Sequence, residues 1–218
     1  MATKRILRTL LASAIFLALV APTQAAPITI FNTGVNGVGI PRADNDPELH
    51  YSLIAPSPTT GTPFVATFAG GYPIGPWLLD NGSSAWIAPT TNTNGATGAY
   101  TYRTTFDLTG LNPGTAILGG NWSTDNGGLD ILINSSPTGQ TTGSGNFGNW
   151  NPFGITTGFI PGLNNLDFVV NNDGGPTGLR VEFEVATADT TSVPEPASLA
   201  LLGIGLAGLG VTRRRRTA

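Results

Sequence analysis

The sequence predicts an all-β chain, folded as an antiparallel β-sandwich between two short apolar segments with basic ends. Three observations carry that expectation. Apolar residues recur with period two: Tyr100, Tyr102, Phe106 and Leu108 share one face, and Thr101, Arg103, Thr105 and Asp107 share the other. Such alternation belongs to strands with one buried and one wet side. Turn-forming clusters, among them residues 92–98, 109–115, 137–146 and 171–178, separate these runs. Between residues 27 and 190 no amphipathic helix pattern of ordinary length occurs, so the strands must bury their apolar faces against one another.

The elements follow in order. Residues 1–25 read as a signal peptide. Lys4, Arg5 and Arg8 form a basic start, Leu10–Ala21 an apolar run, and small residues place cleavage between Ala25 and Ala26. An N-terminal membrane anchor is the competing reading, disfavoured because the run is short and stops at Pro22. Residues 26–186 form the sandwich domain. Its clearest strands put Leu129, Ile131 and Ile133 on one face, then Leu166, Phe168 and Val170, then Leu179, Val181, Phe183 and Val185, with Arg180, Glu182 and Glu184 outward. Weaker strands are expected at 27–32, 49–55, 62–69, 84–89, 115–120 and 153–159. Residues 187–193 read as a polar linker, and residues 194–218 as a separate tail with a short transmembrane helix.

Charge placement narrows the partners. Seven of the ten Lys and Arg residues lie at the two ends; only Arg42, Arg103 and Arg180 accompany the twelve acids between Ala26 and Val193, leaving that body at −9. Such a surface cannot neutralise a phosphate backbone, so no nucleic-acid partner is expected. The chain has no Cys, which excludes disulfides, thiol catalysis and zinc–thiolate sites. Roughly 160 body residues suffice for one domain that buries ~70% of its unfolded surface.

The tail raises its own question: why four arginines, Arg213, Arg214, Arg215 and Arg216, end the chain behind an uncharged run from Pro196 to Thr212. As a helix, Ala197–Val211 would be ~22 Å long, short of the ~30 Å hydrocarbon core, with arginines marking the cytoplasmic side. Pro194 and Pro196 keep the preceding segment extended. This order of Pro194-Glu195-Pro196, apolar helix and Arg cluster resembles the PEP-CTERM sorting signal, also named the ice-binding protein C-terminal domain. The resemblance implies recognition of Pro194, Glu195 and Pro196 by an exosortase-type processing enzyme. It also implies transient attachment to the inner membrane of a Gram-negative-type bacterium, then delivery to the cell surface or the exopolysaccharide matrix.

The body has a second resemblance. Gly120, Trp122, Asp125 and Asn126, followed by Gly162, Asn164, Leu166 and Phe168, are similar to the structural pattern of galactose-binding-like jelly-roll domains. Ser135 departs from it where a turn Gly is common. The resemblance implies a fold rather than a ligand, because this architecture hosts many unrelated functions.

Residue chemistry favours binding over catalysis. His50 is the only His, no G-x-S-x-G elbow or H-E-x-x-H motif occurs, and Asp125 and Asp130 read as turn and wet-face residues. The segment 145–154 interleaves Phe147, Trp150 and Phe153 with Asn146, Asn149 and Asn151, the composition of a surface that stacks on and hydrogen-bonds neutral sugar. Trp150, Asn149, Asn151 and Trp77 are the candidate sugar contacts. Trp150 and Trp77 read equally well as core residues, and Trp122 and Trp86 better so. Asp44, Asp46 and Glu48 form a weak candidate for a structural Ca²⁺, though they lack the EF-hand pattern; no other cofactor is expected. The expectation is a non-enzymatic surface or matrix protein whose sandwich binds carbohydrate. A secreted carbohydrate-active hydrolase and a purely structural matrix protein are the alternatives.

Overall fold

Alternating apolar residues become strands wherever a turn cluster releases them, and the computed structural model describes residues 24–56, 60–72 and 75–191, with Gly203, Gly205 and Leu206 beyond. The signal peptide up to residue 23 lies outside the described residues. So does the tail, its Pro-Glu-Pro and Arg cluster included, apart from those three helical positions. Among the described residues, no helix is long and apolar enough to cross a membrane.

The unit Gln24–Thr191 consists of β1 (Ala25–Pro27), β2 (Ser52–Ala55), β3 (Phe64–Ala66), β4 (Trp86–Ala88), β5 (Gly98–Asp107), β6 (Ile117–Asp125), β7 (Gly127–Ile133), β8 (Ser136–Pro137), β9 (Asn151–Ile155), β10 (Leu163–Asn172) and β11 (Gly178–Asp189). One sheet has the order β3-β4-β11-β6-β9, with β1 also paired to β11; the other has β2-β5-β10-β7-β8. Every pairing is antiparallel. The two inner faces share one core. Tyr100, Tyr102 and Phe106 of β5, Leu166, Phe168 and Val170 of β10, and Ile131 and Ile133 of β7 meet Leu118 and Trp122 of β6, Phe153 and Ile155 of β9, and Leu179 and Val181 of β11. The unit Gln24–Thr191 is the expected all-β antiparallel sandwich.

Two bulges alter the expected faces. β11 slips against β6 between Phe183 and Val185. Inward parity passes from Leu179, Val181 and Phe183 to Ala186 and Ala188, and Val185, expected in the core, is 39% exposed. Opposite lies Gly120, where an added Cβ would run into the Glu182 carbonyl; the strands approach too closely there for a side chain. β7 slips against β10 between Val169 and Val170, which pairs Asp130 and Gly128 but skips Leu129. Leu129, also expected inside, is therefore exposed. β11 also continues through Thr187, Ala188 and Asp189, residues expected in a linker; Ala188 is buried and lies opposite Ala26 of β1.

Phe168 is fully buried, with ring centroids of Trp122 and Phe153 at 5.8 Å and of Tyr51 at 6.3 Å. Phe168→Ala is expected to cost ~3–5 kcal/mol by opening a cavity, whereas Val185→Ala should stay within ~0.5 kcal/mol. Urea unfolding of both variants checks the parity change.

Candidate functional site

The outer face of the β4-β11-β6-β9 sheet is built by register. Ser123 lies opposite Arg180. Trp122 pairs with Asn151, so one further step along the ladder puts Trp150 beside Ser123. Leu179 pairs with Ile87, which puts Arg180 beside Trp86. The outer row thus reads Trp150, Ser123, Arg180, Trp86. The next reads Pro152, Asn121, Glu182, Ser84 by the same ladders.

Arg180 points away from the main core, as its alternation requires, yet it is fully buried. A second layer covers it, formed by Tyr72, residues 75–84 and the turn around Asn146–Trp150. Its Nε donates to Ser84 Oγ (2.7 Å), its Nη1 to the Leu79 carbonyl (2.7 Å) and the Leu78 carbonyl (3.3 Å), and its Nη2 to the Ser84 carbonyl (3.2 Å). Glu182 lies 3.6 Å away. Desolvation pulls the Arg180 pKa down, opposed by the carboxylates of Glu182 and Asp80. Above the guanidinium lies the half-buried Trp150 ring, 5.2 Å from its centroid, a cation–π contact that fixes the indole's orientation.

The turn carrying Trp150 is held from below. Ser123 Oγ donates to the Asn146 carbonyl (2.9 Å), and the Leu78 N–H to the Phe147 carbonyl (2.7 Å). Gly148 permits this approach, since a Cβ there would meet the Pro76 carbonyl oxygen at 2.5 Å. Asn151 braces the same turn. Its Oδ1 accepts from Asn146 (2.7 Å), and its Nδ2 donates to the Trp122 and Asn149 carbonyls (3.2 and 3.3 Å).

Trp77 belongs to the interior of the second layer. It is 3% exposed, stacks on Tyr72 at 5.5 Å, packs tilted against Trp86 at 4.3 Å, and donates its indole N–H to Asp125 Oδ2 at 2.8 Å. It therefore offers no free face, because the buried Asp125 carboxylate needs that donor. Trp86 and Trp122 are buried as well. Of the four candidate contacts, the half-buried Trp150 and the exposed Asn149 remain open to a ligand.

The structure adds polar neighbours that the sequence marks only as ordinary wet-face residues. Glu182 Oε1 accepts from Asn81 Nδ2 and Ser84 Oγ, both at 2.7 Å, and Asn121 Nδ2 donates to Glu184 Oε1 at 2.6 Å. Alternation of the two glutamates with Val181 and Phe183 is the signal that the sequence offers for them. The face thus combines a fixed aromatic ring with amides and carboxylates, able to stack on an apolar sugar face and hydrogen-bond hydroxyls.

The acidic stretch near residue 45 is arranged differently. Asp44 Oδ1 accepts from the Thr67 N–H (2.8 Å) and hydroxyl (3.3 Å), and Asp46 pairs with Arg42 at 3.1 Å. Glu48 is buried, accepts from the Gly34 and His50 N–H groups at 2.7 and 2.8 Å, and is pushed up in pKa by burial. Among the described residues, no three His, Asp or Glu side chains form a group that could hold a metal ion. The His50 ring stacks on Phe31 at 3.9 Å. Asp130 Oδ1 accepts from the Ile131 and Gly139 N–H groups at 2.8 and 2.9 Å, a turn-holding role.

The tail is decided by comparison with known families. Residues 192–216 match the PEP-CTERM protein-sorting motif. This motif marks an exported protein sorted to the cell envelope and processed by an exosortase-type enzyme. No curated protein matches the chain. Among solved structures, a CBM35 from Paenibacillus barcinonensis is similar at 16% identity and a TM-score of 0.35, over 62% of this chain and 93% of that one.

Burial pushes the Asp125 carboxyl up in pKa, partly opposed by the Trp77 N–H. Its stabilising contribution is therefore complete below the unfolded carboxylate pKa of ~3.9 and is lost as pH rises through the higher folded value. Relative to wild type, Asp125→Asn should gain stability as pH rises from about 4 to about 7. Denaturant unfolding across that range checks the sign.

Proposed function

We propose that this is a non-catalytic cell-surface or extracellular-matrix protein of a Gram-negative-type bacterium, whose sandwich binds a neutral polysaccharide through its outer sheet face. The observation that carries the reading is the half-buried Trp150 ring, over Arg180 at 5.2 Å, on a sheet face that also carries Asn121, Glu182 and Glu184. A ring held in one orientation loses little entropy on stacking. A neutral chain suits the face better than an acidic one, because the body carries −9 and would repel polyanions. The matched sorting motif supports a location where envelope and matrix polysaccharides lie.

Stacking predicts retention on a matrix polysaccharide that is insensitive to salt, whereas a charge-driven contact would fade as salt rises. Trp150→Ala should abolish that retention. It also uncovers Arg180, at a stability cost of ~0.5–2 kcal/mol, so retention is measured alongside circular dichroism to confirm a folded variant. Asn149→Ala should weaken retention with an unchanged melting temperature. A folded Trp150→Ala that is retained like wild type refutes this face as the binding site. A wild type retained on no polysaccharide makes the structural matrix role the better account.

In the same reading, the N-terminal signal peptide is cleaved between Ala25 and Ala26. The segment Ala197–Val211 holds the exported body briefly at the inner membrane, with Arg213–Arg216 on the cytoplasmic side. The processing enzyme then acts near Pro194-Glu195-Pro196. The intact mass of surface-released protein should lack Arg213–Arg216; recovery of the full tail on released protein counts against processing.

A further inference from the structure

The sandwich has two unlike ends. At one end β10 begins, with Leu163 opposite Asp107 of β5. β6 also begins there, with Ile117 opposite Thr187. The chain leaves at this end too: Thr191 is latched to Gly110 through its N–H (3.0 Å) and hydroxyl (3.1 Å), and Asn112 donates to the Asp189 carbonyl (2.7 Å). The other end holds the β6–β7 turn after Asp125 and the last residues of β10. Trp150, beside Ser123, lies toward it.

Large apolar side chains are exposed at the exit end. Leu163 is 64% exposed, Ile160 48% and Ile117 42%. Leu163 and Leu111 also line a cleft of about 570 Å³ with Phe31, Phe106 and Thr109. Thr191 and Pro196 are five residues apart, so chain length limits the tether between the latch and the uncharged run to about 18 Å. Asp107 and Asp189 at this end suit the ammonium groups of phosphatidylethanolamine.

We infer that the exit end of the sandwich rests on the lipid surface while the tail is uncut, with Leu163 and Ile160 entering the headgroup layer. The inference rests on the proposed membrane attachment of the tail. Each buried apolar side chain then adds to the hold of a helix shorter than the hydrocarbon core. Trp150 is carried toward the far end, open to polysaccharide before release.

The full chain, which has no Cys, allows single labelling with an environment-sensitive fluorophore. Leu163→Cys and Ile160→Cys report on the exit end, and Leu129→Cys, at an exposed position near the β6–β7 turn, reports on the other. Each is mixed with vesicles of phosphatidylethanolamine and phosphatidylcholine, and flotation is measured beside fluorescence. The expected result is flotation, a blue shift at the two exit-end labels, and quenching by nitroxide lipids several-fold stronger there than at the Leu129→Cys label. Flotation with unshifted exit-end labels, or with equal quenching at both ends, overturns this inference alone. Failure to float overturns the membrane reading of the tail and this inference with it.

Discussion

A guanidinium taken out of water organises the outer layer of this protein. Arg180 has lost its hydration and must replace it with protein groups. It draws on the Leu78, Leu79 and Ser84 carbonyls, the Ser84 hydroxyl and the nearby Glu182 carboxylate. The carbonyls and the hydroxyl belong to a stretch about a hundred residues earlier in the chain, so satisfying Arg180 folds that stretch onto the sheet. Trp150 closes the site from the β9 side. Trp77 and Trp86 pack alongside, and Asp125 takes the Trp77 N–H.

The same arrangement gives the exposed face its character. A tryptophan on a free loop samples many orientations and loses them on binding, whereas one seated on a fixed cation has lost them already. The neighbouring carboxylates, Glu182 and Glu184, are held by Asn81, Ser84 and Asn121, so their remaining acceptor capacity is also fixed in space. A buried charge in the second layer thus supports order on the surface above it.

The strand ladders give the molecule polarity. β1 and the end of β11 bring the start and the exit of the described unit together, with Ala25 opposite Asp189. The ring of Trp150 lies several rungs away along β6. The chain exit and the Trp150 ring therefore lie toward different ends of the sandwich.

Period-two alternation in the sequence was enough for the strands, the two-sheet sandwich and the inward faces of Tyr100, Tyr102, Leu166, Phe168, Val170, Leu179 and Val181, because which side of a pleated strand meets water is a local property. The sorting tail was legible for a related reason: a linear motif is read from residue order and needs no tertiary partner. Among the candidate contacts, the asparagines and the aromatic segment were visible as composition, but that only Asn149 of the two stays exposed was not. Tertiary structure decided what depends on distant neighbours. The bulges that turn Leu129 and Val185 outward arise from ladder register, which the local pattern does not contain. Burial of Arg180 and Trp77 depends on a second layer whose pieces, residues 75–84 with Tyr72 and the turn Asn146–Trp150, are far apart in the chain. Until those pieces meet on the sheet, an outward arginine reads as solvated and a loop tryptophan as free; only their packing decides which residue is covered and which ring stays open.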